Sequence, residues 1–250
     1  MPARIACAFL PVFLLTALAC SRESSITVSA ATSLTDVVGE AARVYSDSTG
    51  IDVVTRFGAS GVMARAIEEG TSADIFISAD AEWVEELGKR GLIESATARI
   101  LAWNRLVFVI PAMDSGRAVA TPPALVNLKS IAIGDPETVP AGHYARQALT
   151  KLSLWPFLET KLVKATDVRA VLNLVETEQV EGGVVYATDA QTTTKVRVAF
   201  TFPEGSHDPV AYPGAVLTGS RHGKAALSFL EFLSSPKGRA IFQSYGFQES

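Results

Sequence analysis

The chain has 250 residues, enough for one large domain or two small lobes with a core in each. It is 48% hydrophobic and 19% charged, a globular composition that excludes a disordered chain. Acidic residues outnumber basic ones 26 to 22, a net charge of −4, and the basic residues are scattered singly, so the positive face that nucleic acid requires is missing.

Residues 1–19 read as an export signal. Arg4 precedes an apolar run from Ile5 to Leu18, shorter than the roughly 18–20 residues a membrane span needs. The run ends in Ala17-Leu18-Ala19-Cys20, which suits either ordinary cleavage after Ala19 or lipidation of Cys20 at a lipobox-like site. Lipidation is the favoured route, because Cys20 stands at the one position that chemistry uses, although Ala17 replaces the usual aliphatic residue. The other cysteine, Cys7, lies inside the signal. The mature chain therefore has no intrachain disulfide, no thiol-bound metal and no cysteine nucleophile. Residues 20–25 form a short tether.

Strands and helices then alternate. A strand over Ile26–Ala31 leads into a helix over Ser33–Ser46, whose Leu34, Val37, Val38, Ala41, Ala42 and Tyr45 share one stripe. Strand Asp52–Phe57, helix Ser60–Glu69, buried strand Asp74–Ser78 and helix Ala81–Arg90 follow, the last stopped by Gly91. Further strands fall at Leu106–Ile110, Ile131–Ile133, Gly183–Tyr186, Val196–Phe202 and Ala211–Leu217. Helices fall at Pro140–Lys151, Asp167–Glu178, Lys224–Leu233 and Pro236–Tyr245. This alternation predicts an α/β fold of mainly parallel sheets flanked by helices. Breaks near Trp103-Asn104-Arg105 and Glu204–Pro209 divide it into two lobes, residues 26–103 with 208–250 and residues 104–207, with ligand in the cleft between them.

Four stretches share one design, an apolar run that ends in small or hydroxyl residues just where a helix starts. They are Ala30–Thr35, Phe57–Gly61, Gly134–Gly142 and Ala165–Arg169. Helix N-termini carry unpaired N–H groups and the positive end of the dipole, so each is a candidate anion cradle that needs no Lys or Arg. Ser33 and Ser60 are candidate ligand contacts and equally candidate helix N-caps. Pro140 suits the first helical position and leaves Ala141 as the next donor. Thr166 is the expected cap of the next helix, which makes Val168 a backbone donor only if that cap bonds elsewhere. Tyr186 ends an apolar strand and reads as a core tyrosine or a ligand contact. Arg65, Arg146 and Arg169 lie inside helices and read as solvated-face residues.

Taken together, Ala30–Thr35, Phe57–Gly61 with Ala64-Arg65, Ala73–Asp80, Gly134–Gly142, Asp167–Arg169, Gly183–Ala190 and Tyr245-Gly246-Phe247 resemble the molybdate-binding periplasmic component of ABC transporters. The likeness runs from about Ile26 to Phe247. It implies a two-lobed, hinge-closing type II binding protein, monomeric and not an enzyme, with no cofactor. Such a protein grips molybdate or tungstate in its cleft and delivers it to a membrane permease. The implied contacts are Ser33, Ser60, Ala141, Val168 and Tyr186, with molybdenum held only as its oxyanion. Two departures stand in the motifs: Thr32 replaces a usual alanine and Gly61 a frequent serine. A cage of donors alone selects a fully deprotonated dianion, because a protonated phosphate presents an O–H with no acceptor.

Two competing readings are weaker. Another tetrahedral oxyanion such as sulfate fits the same donors, and cavity size would have to separate it from molybdate. A serine hydrolase is nearly spelled by Gly58-Ala59-Ser60-Gly61-Val62, but Val62 stands where the nucleophile elbow needs glycine, and His143, His207 and His222 lie in no partner motif. His143 reads as a polar loop residue, and binding is expected to be flat from about pH 6 to 8, since none of the named donors titrates there.

Overall fold

The computed structural model describes residues 25–113 and 119–249; the expected export signal, Cys20 and nearly all of the expected tether lie outside the described residues. The first lobe is built on β1 (Ser25–Ala31), β2 (Asp52–Gly58), β3 (Ile75–Ile77) and β4 (Arg99–Asn104), with α1 (Thr35–Thr49), α2 (Ser60–Glu68) and α3 (Ala81–Lys89) between them. The second lobe takes β5 (Leu106–Pro111), β6 (Ile131–Gly134), α4 (Pro140–Lys151), α5 (Trp155–Leu158), β7 (Leu162–Ala165), α6 (Val168–Glu176), β8 (Gly183–Tyr186), α7 (Ala187–Ala190) and β9 (Val196–Thr201). The chain then returns to the first lobe as β10 (Val210–Val216), α8 (Gly223–Ser234) and α9 (Pro236–Ser244).

Each lobe has one five-stranded sheet, in the orders β2-β1-β3-β10-β4 and β7-β6-β8-β5-β9. Within each, three strands pair in parallel, and one strand, β10 or β5, runs against its neighbours on both sides. Four strands of each sheet therefore share a direction. The reversed strand is in both cases the first one laid down after the chain crosses between lobes, so the two crossings enter their sheets in the same way. The sheets are mixed, with a parallel core.

Burial follows the predicted stripes. Val37, Val38, Ala41, Ala42 and Tyr45 of α1 are buried against the sheet, and Gly50, at φ +70°, ends that helix in the left-handed conformation glycine tolerates. β5 and β8 are buried along their whole lengths, as strands covered on both faces must be.

Two strands escape the sequence reading. β4 lies where the sequence suggests a break, and Gln248 closes its outer edge by exchanging two backbone hydrogen bonds with Trp103. β7 has only four residues, two of them exposed, and is held by its pairing with β6 rather than by any periodicity of its own.

Candidate functional site

The strands that share a direction send their carboxyl ends to the interlobe face. β1 ends at Ala31, β2 at Gly58, β6 at Gly134, β7 at Ala165 and β8 at Tyr186. The turns that follow them enclose one narrow cavity of about 10 Å³. Ser33, Ser60, Ala141, Val168 and Tyr186 all line it, together with Thr32, Gly58 and Ala79. Five positions spread over more than 150 residues of sequence are thus brought to one point. Among the described residues no Lys, Arg or His lines the cavity.

The helix starts differ from the expected caps, and the difference matters for the donors. Ser60 is the first residue of α2 rather than its cap, and α1 begins at Thr35, beyond a 3-10 turn over Thr32–Leu34 that holds Ser33. Neither serine hydroxyl caps a helix. Ser60 Oγ accepts the Ala79 N–H at 3.1 Å, and Ser33 Oγ accepts the Tyr212 hydroxyl at 3.2 Å. The cap of α6 is Asp167 and not Thr166: one carboxylate oxygen accepts the N–H groups of Arg169 at 2.8 Å and Ala170 at 3.0 Å. That satisfies the second and third donors of the helix and leaves the first, Val168 N–H, without a protein acceptor among the described residues. At α4, Val139 occupies the cap position without a side-chain bond and Pro140 has no N–H. Ala141 N–H is then the first donor of that helix, again with no protein acceptor among the described residues.

Close packing fixes these starts. A Cβ on Gly142 would lie 2.0 Å from the Gly134 carbonyl oxygen, so only glycine lets α4 begin against the end of β6.

Two hydroxyls on the cavity wall, Tyr186 Oη and Thr32 Oγ1, have no hydrogen-bond partner among the described residues. Buried polar groups without partners are rare and costly, and they mark places where something else completes the bonding. Burial, with the nearby Tyr212, Tyr144 and Asp80, holds the Tyr186 phenol well above its ordinary range, so it remains a protonated donor. The sequence flags Thr32 only as a departure from the usual alanine. The contribution of Tyr212 is not legible there at all, since it sits 179 residues from Ser33 in a strand that reads as core.

The lobes meet around the cavity through polar contacts. Gly61 N–H donates to the Thr138 carbonyl at 2.9 Å. Arg169 bridges Asp36 of the first lobe, at 2.7 Å, and the fully buried Asp189 of its own. Burial pushes the Asp189 carboxyl up to about 6, against the opposing pull of Arg169. Arg169 is therefore an interlobe strut and not a solvated-face residue, while Arg65 and Arg146 rest over Trp83 and Trp155. His143, expected in a loop, lies within α4 and faces Glu82 at 3.1 Å and Asp80 at 3.9 Å across the cleft. Its pKa is raised by its interaction with Asp80, with burial opposing and Glu82 and Asp208 adding to the rise. None of the three histidines lines the cavity, so the hydrolase reading lacks the histidine base it would need beside Ser60.

Comparison with known proteins agrees with this architecture. A family model described as a bacterial extracellular solute-binding protein matches residues 26–248. The molybdate-binding protein ModA of Escherichia coli (strain K12) is 42% identical over 231 residues, covering 90% of this chain and 89% of that protein. The putative ABC transporter substrate-binding lipoprotein YvgL of Bacillus subtilis (strain 168) is 36% identical over 249 residues, covering 96% and 95%. The solved substrate-binding domain of a putative molybdenum ABC transporter from Clostridium difficile superposes with a TM-score of 0.71 at 34% identity, covering 91% of this chain and 99% of that one. A cavity lined by backbone and hydroxyl donors, with the Asp167 cap at its wall, lies between two α/β lobes, and the sequence likeness along nearly the whole length places the chain among the bacterial extracellular solute-binding proteins, which are transport components and not enzymes.

Proposed function

We propose that this protein captures molybdate, and also tungstate, in the interlobe cavity and delivers it to the membrane permease of an ABC transporter. The observation that carries the reading is the convergence of Ser33, Ser60, Ala141, Val168 and Tyr186 on one cavity with no cationic side chain in its wall. Each serine offers a hydroxyl and an N–H, and the other three residues offer one donor each, about seven hydrogen bonds. At about 1.5–3 kcal/mol for each bond to a charged partner, the gross sum exceeds the roughly 8–12 kcal/mol of micromolar-to-nanomolar binding. Dehydrating the dianion and closing the lobes absorb the excess. The names of the E. coli and C. difficile relatives support molybdate over other tetrahedral oxyanions. Molybdenum enters this scheme as cargo, held only as its oxyanion.

The protein works outside the cytoplasm, anchored by lipid at Cys20. The signal-like N-terminus and the lipoprotein name of the B. subtilis relative support that arrangement, and the mass of the mature N-terminus tests it.

Calorimetry with molybdate, tungstate, sulfate and phosphate tests the ligand. Molybdate and tungstate should bind and raise the melting temperature, as any ligand specific to the folded state must. No binding of molybdate would overturn the proposal, and equal affinity for sulfate would replace it with a general dianion carrier.

A further inference from the structure

We infer that Tyr212 and Asn104, neither of which lines the cavity, are positioning residues that lock the Ser33 hydroxyl as a donor and so exclude protonated oxyanions. The inference rests on the oxyanion-binding reading above. It starts from a backbone group whose direction is not in doubt. Arg105 N–H donates to Asn104 Oδ1 at 2.8 Å, which fixes the amide so that its nitrogen faces the other way. Asn104 Nδ2 then donates to Thr188 Oγ1 at 2.8 Å and to the Tyr212 hydroxyl at 3.2 Å. An amide nitrogen only donates, so the Tyr212 oxygen must accept there. Its single proton goes to Ser33 Oγ, 3.2 Å away. One lone pair of the Ser33 oxygen is thereby taken, and its own proton, not needed by Tyr212, is left to the cavity.

Ser60 reaches the same state in one step, because the Ala79 N–H donates to its oxygen. Both serines thus keep their proton for the guest, with one lone pair already spent inside the protein. A dianion with four bare oxygens is satisfied. An oxyanion carrying a proton meets O–H against O–H, the unpaired buried arrangement that costs most.

The relay also ties the site to the hinge. Asn104 is the last residue of β4 before the first crossing between lobes, and Tyr212 stands in β10 just after the second. Thr188, the other acceptor of the Asn104 amide, belongs to the second lobe. Tyr212 is fully buried, with edge-to-face contacts to Tyr186 at 5.9 Å and Phe247 at 5.2 Å between ring centroids. Replacing it by phenylalanine keeps these ring contacts and removes only the relay.

The test is a double-mutant cycle of Tyr212→Phe and Ser33→Ala, read by calorimetry with molybdate, sulfate and phosphate. Sulfate and phosphate are similar in size and differ near neutrality in that phosphate keeps a proton. Tyr212→Phe should weaken molybdate binding about 3- to 10-fold. It should also narrow the preference for sulfate over phosphate by a similar factor, because the freed Ser33 hydroxyl can turn and accept. In the Ser33→Ala background Tyr212→Phe should add no further loss, since it acts only through that serine. A full additive loss in the double mutant, or an unchanged sulfate-to-phosphate ratio in a folded Tyr212→Phe protein, would overturn the relay and leave the ligand assignment standing. A wild-type protein that takes up none of the three oxyanions would overturn both.

Discussion

Gly61 offers a substitution whose cost falls on the closed form. The residue is the second of α2 in the first lobe, yet its amide donates a hydrogen bond to the Thr138 carbonyl of the second. A Cβ at this position would lie 2.8 Å from the Thr138 carbonyl oxygen and 2.9 Å from its Cα. It would also lie 2.6 Å from Trp83 Cζ2, within the first lobe. The tryptophan is a partly exposed side chain that can rotate aside. The Thr138 contact is with backbone, and the only relief is for the lobes to stand further apart. Overpacking of this kind costs about 1–3 kcal/mol, which for a ligand that binds only the closed form is about 5- to 150-fold in Kd. Titration calorimetry of wild type and Gly61→Ala with molybdate measures that loss, and thermal unfolding of the ligand-free proteins measures what remains when the lobes are apart. Affinity within about twofold of wild type would refute the reasoning, given that 1 kcal/mol already corresponds to about fivefold. So would a fall in ligand-free Tm equivalent to the whole binding loss, at about 2–4 °C per kcal/mol, because the strain would then lie within one lobe.

Tyr186→Phe should weaken molybdate binding by about 1.5–3 kcal/mol while leaving the ligand-free Tm unchanged or higher, since the hydroxyl it removes has no partner among the described residues. A drop in Tm without loss of affinity would show the phenol to be structural. Thr32→Val keeps the side-chain shape and deletes the other unpartnered cavity hydroxyl, and it should lower affinity by about 0.5–1.5 kcal/mol; unchanged calorimetry would remove Thr32 from the site. The His143 contact revises the expectation of flat pH dependence. Its pKa is raised in the closed form by Asp80 and Glu82 of the opposite lobe, so protonation favours closing below the ordinary value of 6.5, and the advantage is lost as pH rises through the raised value. Affinity measured from about pH 6 to 8 should therefore fall by a modest factor, as suits a half-exposed pair, and should be flat in His143→Gln. An equal slope in both proteins would assign the dependence to another group.

Signals written into neighbouring residues were legible without the fold. Pro140 at a first helical position, the glycine pair before Val184 and the apolar stripe of α1 give elements whose bounds or buried faces the structure reproduces. The likeness of ordered motifs from Ala30 to Phe247 was legible for the same reason, because it is a property of sequence. β4 and β7 were not, since one lies on a lobe boundary and the other is too short to show a period. The cap of α6 was ambiguous locally, with Thr166 and Asp167 both able to accept, and only the folded turn chose the carboxylate.

The sequence by itself thus determined most of the helices and strands and the turns where donors could collect, because hydrophobic period, glycine, proline and capping residues act over a few positions. Only the tertiary structure decided where those donors point and what orients them. Ser33 takes its polarity from Tyr212 and Asn104, and His143 and Arg169 find their partners across the cleft. These contacts join residues 61 to 179 positions apart, and their directions follow from sheet order and lobe closure, which no local pattern encodes.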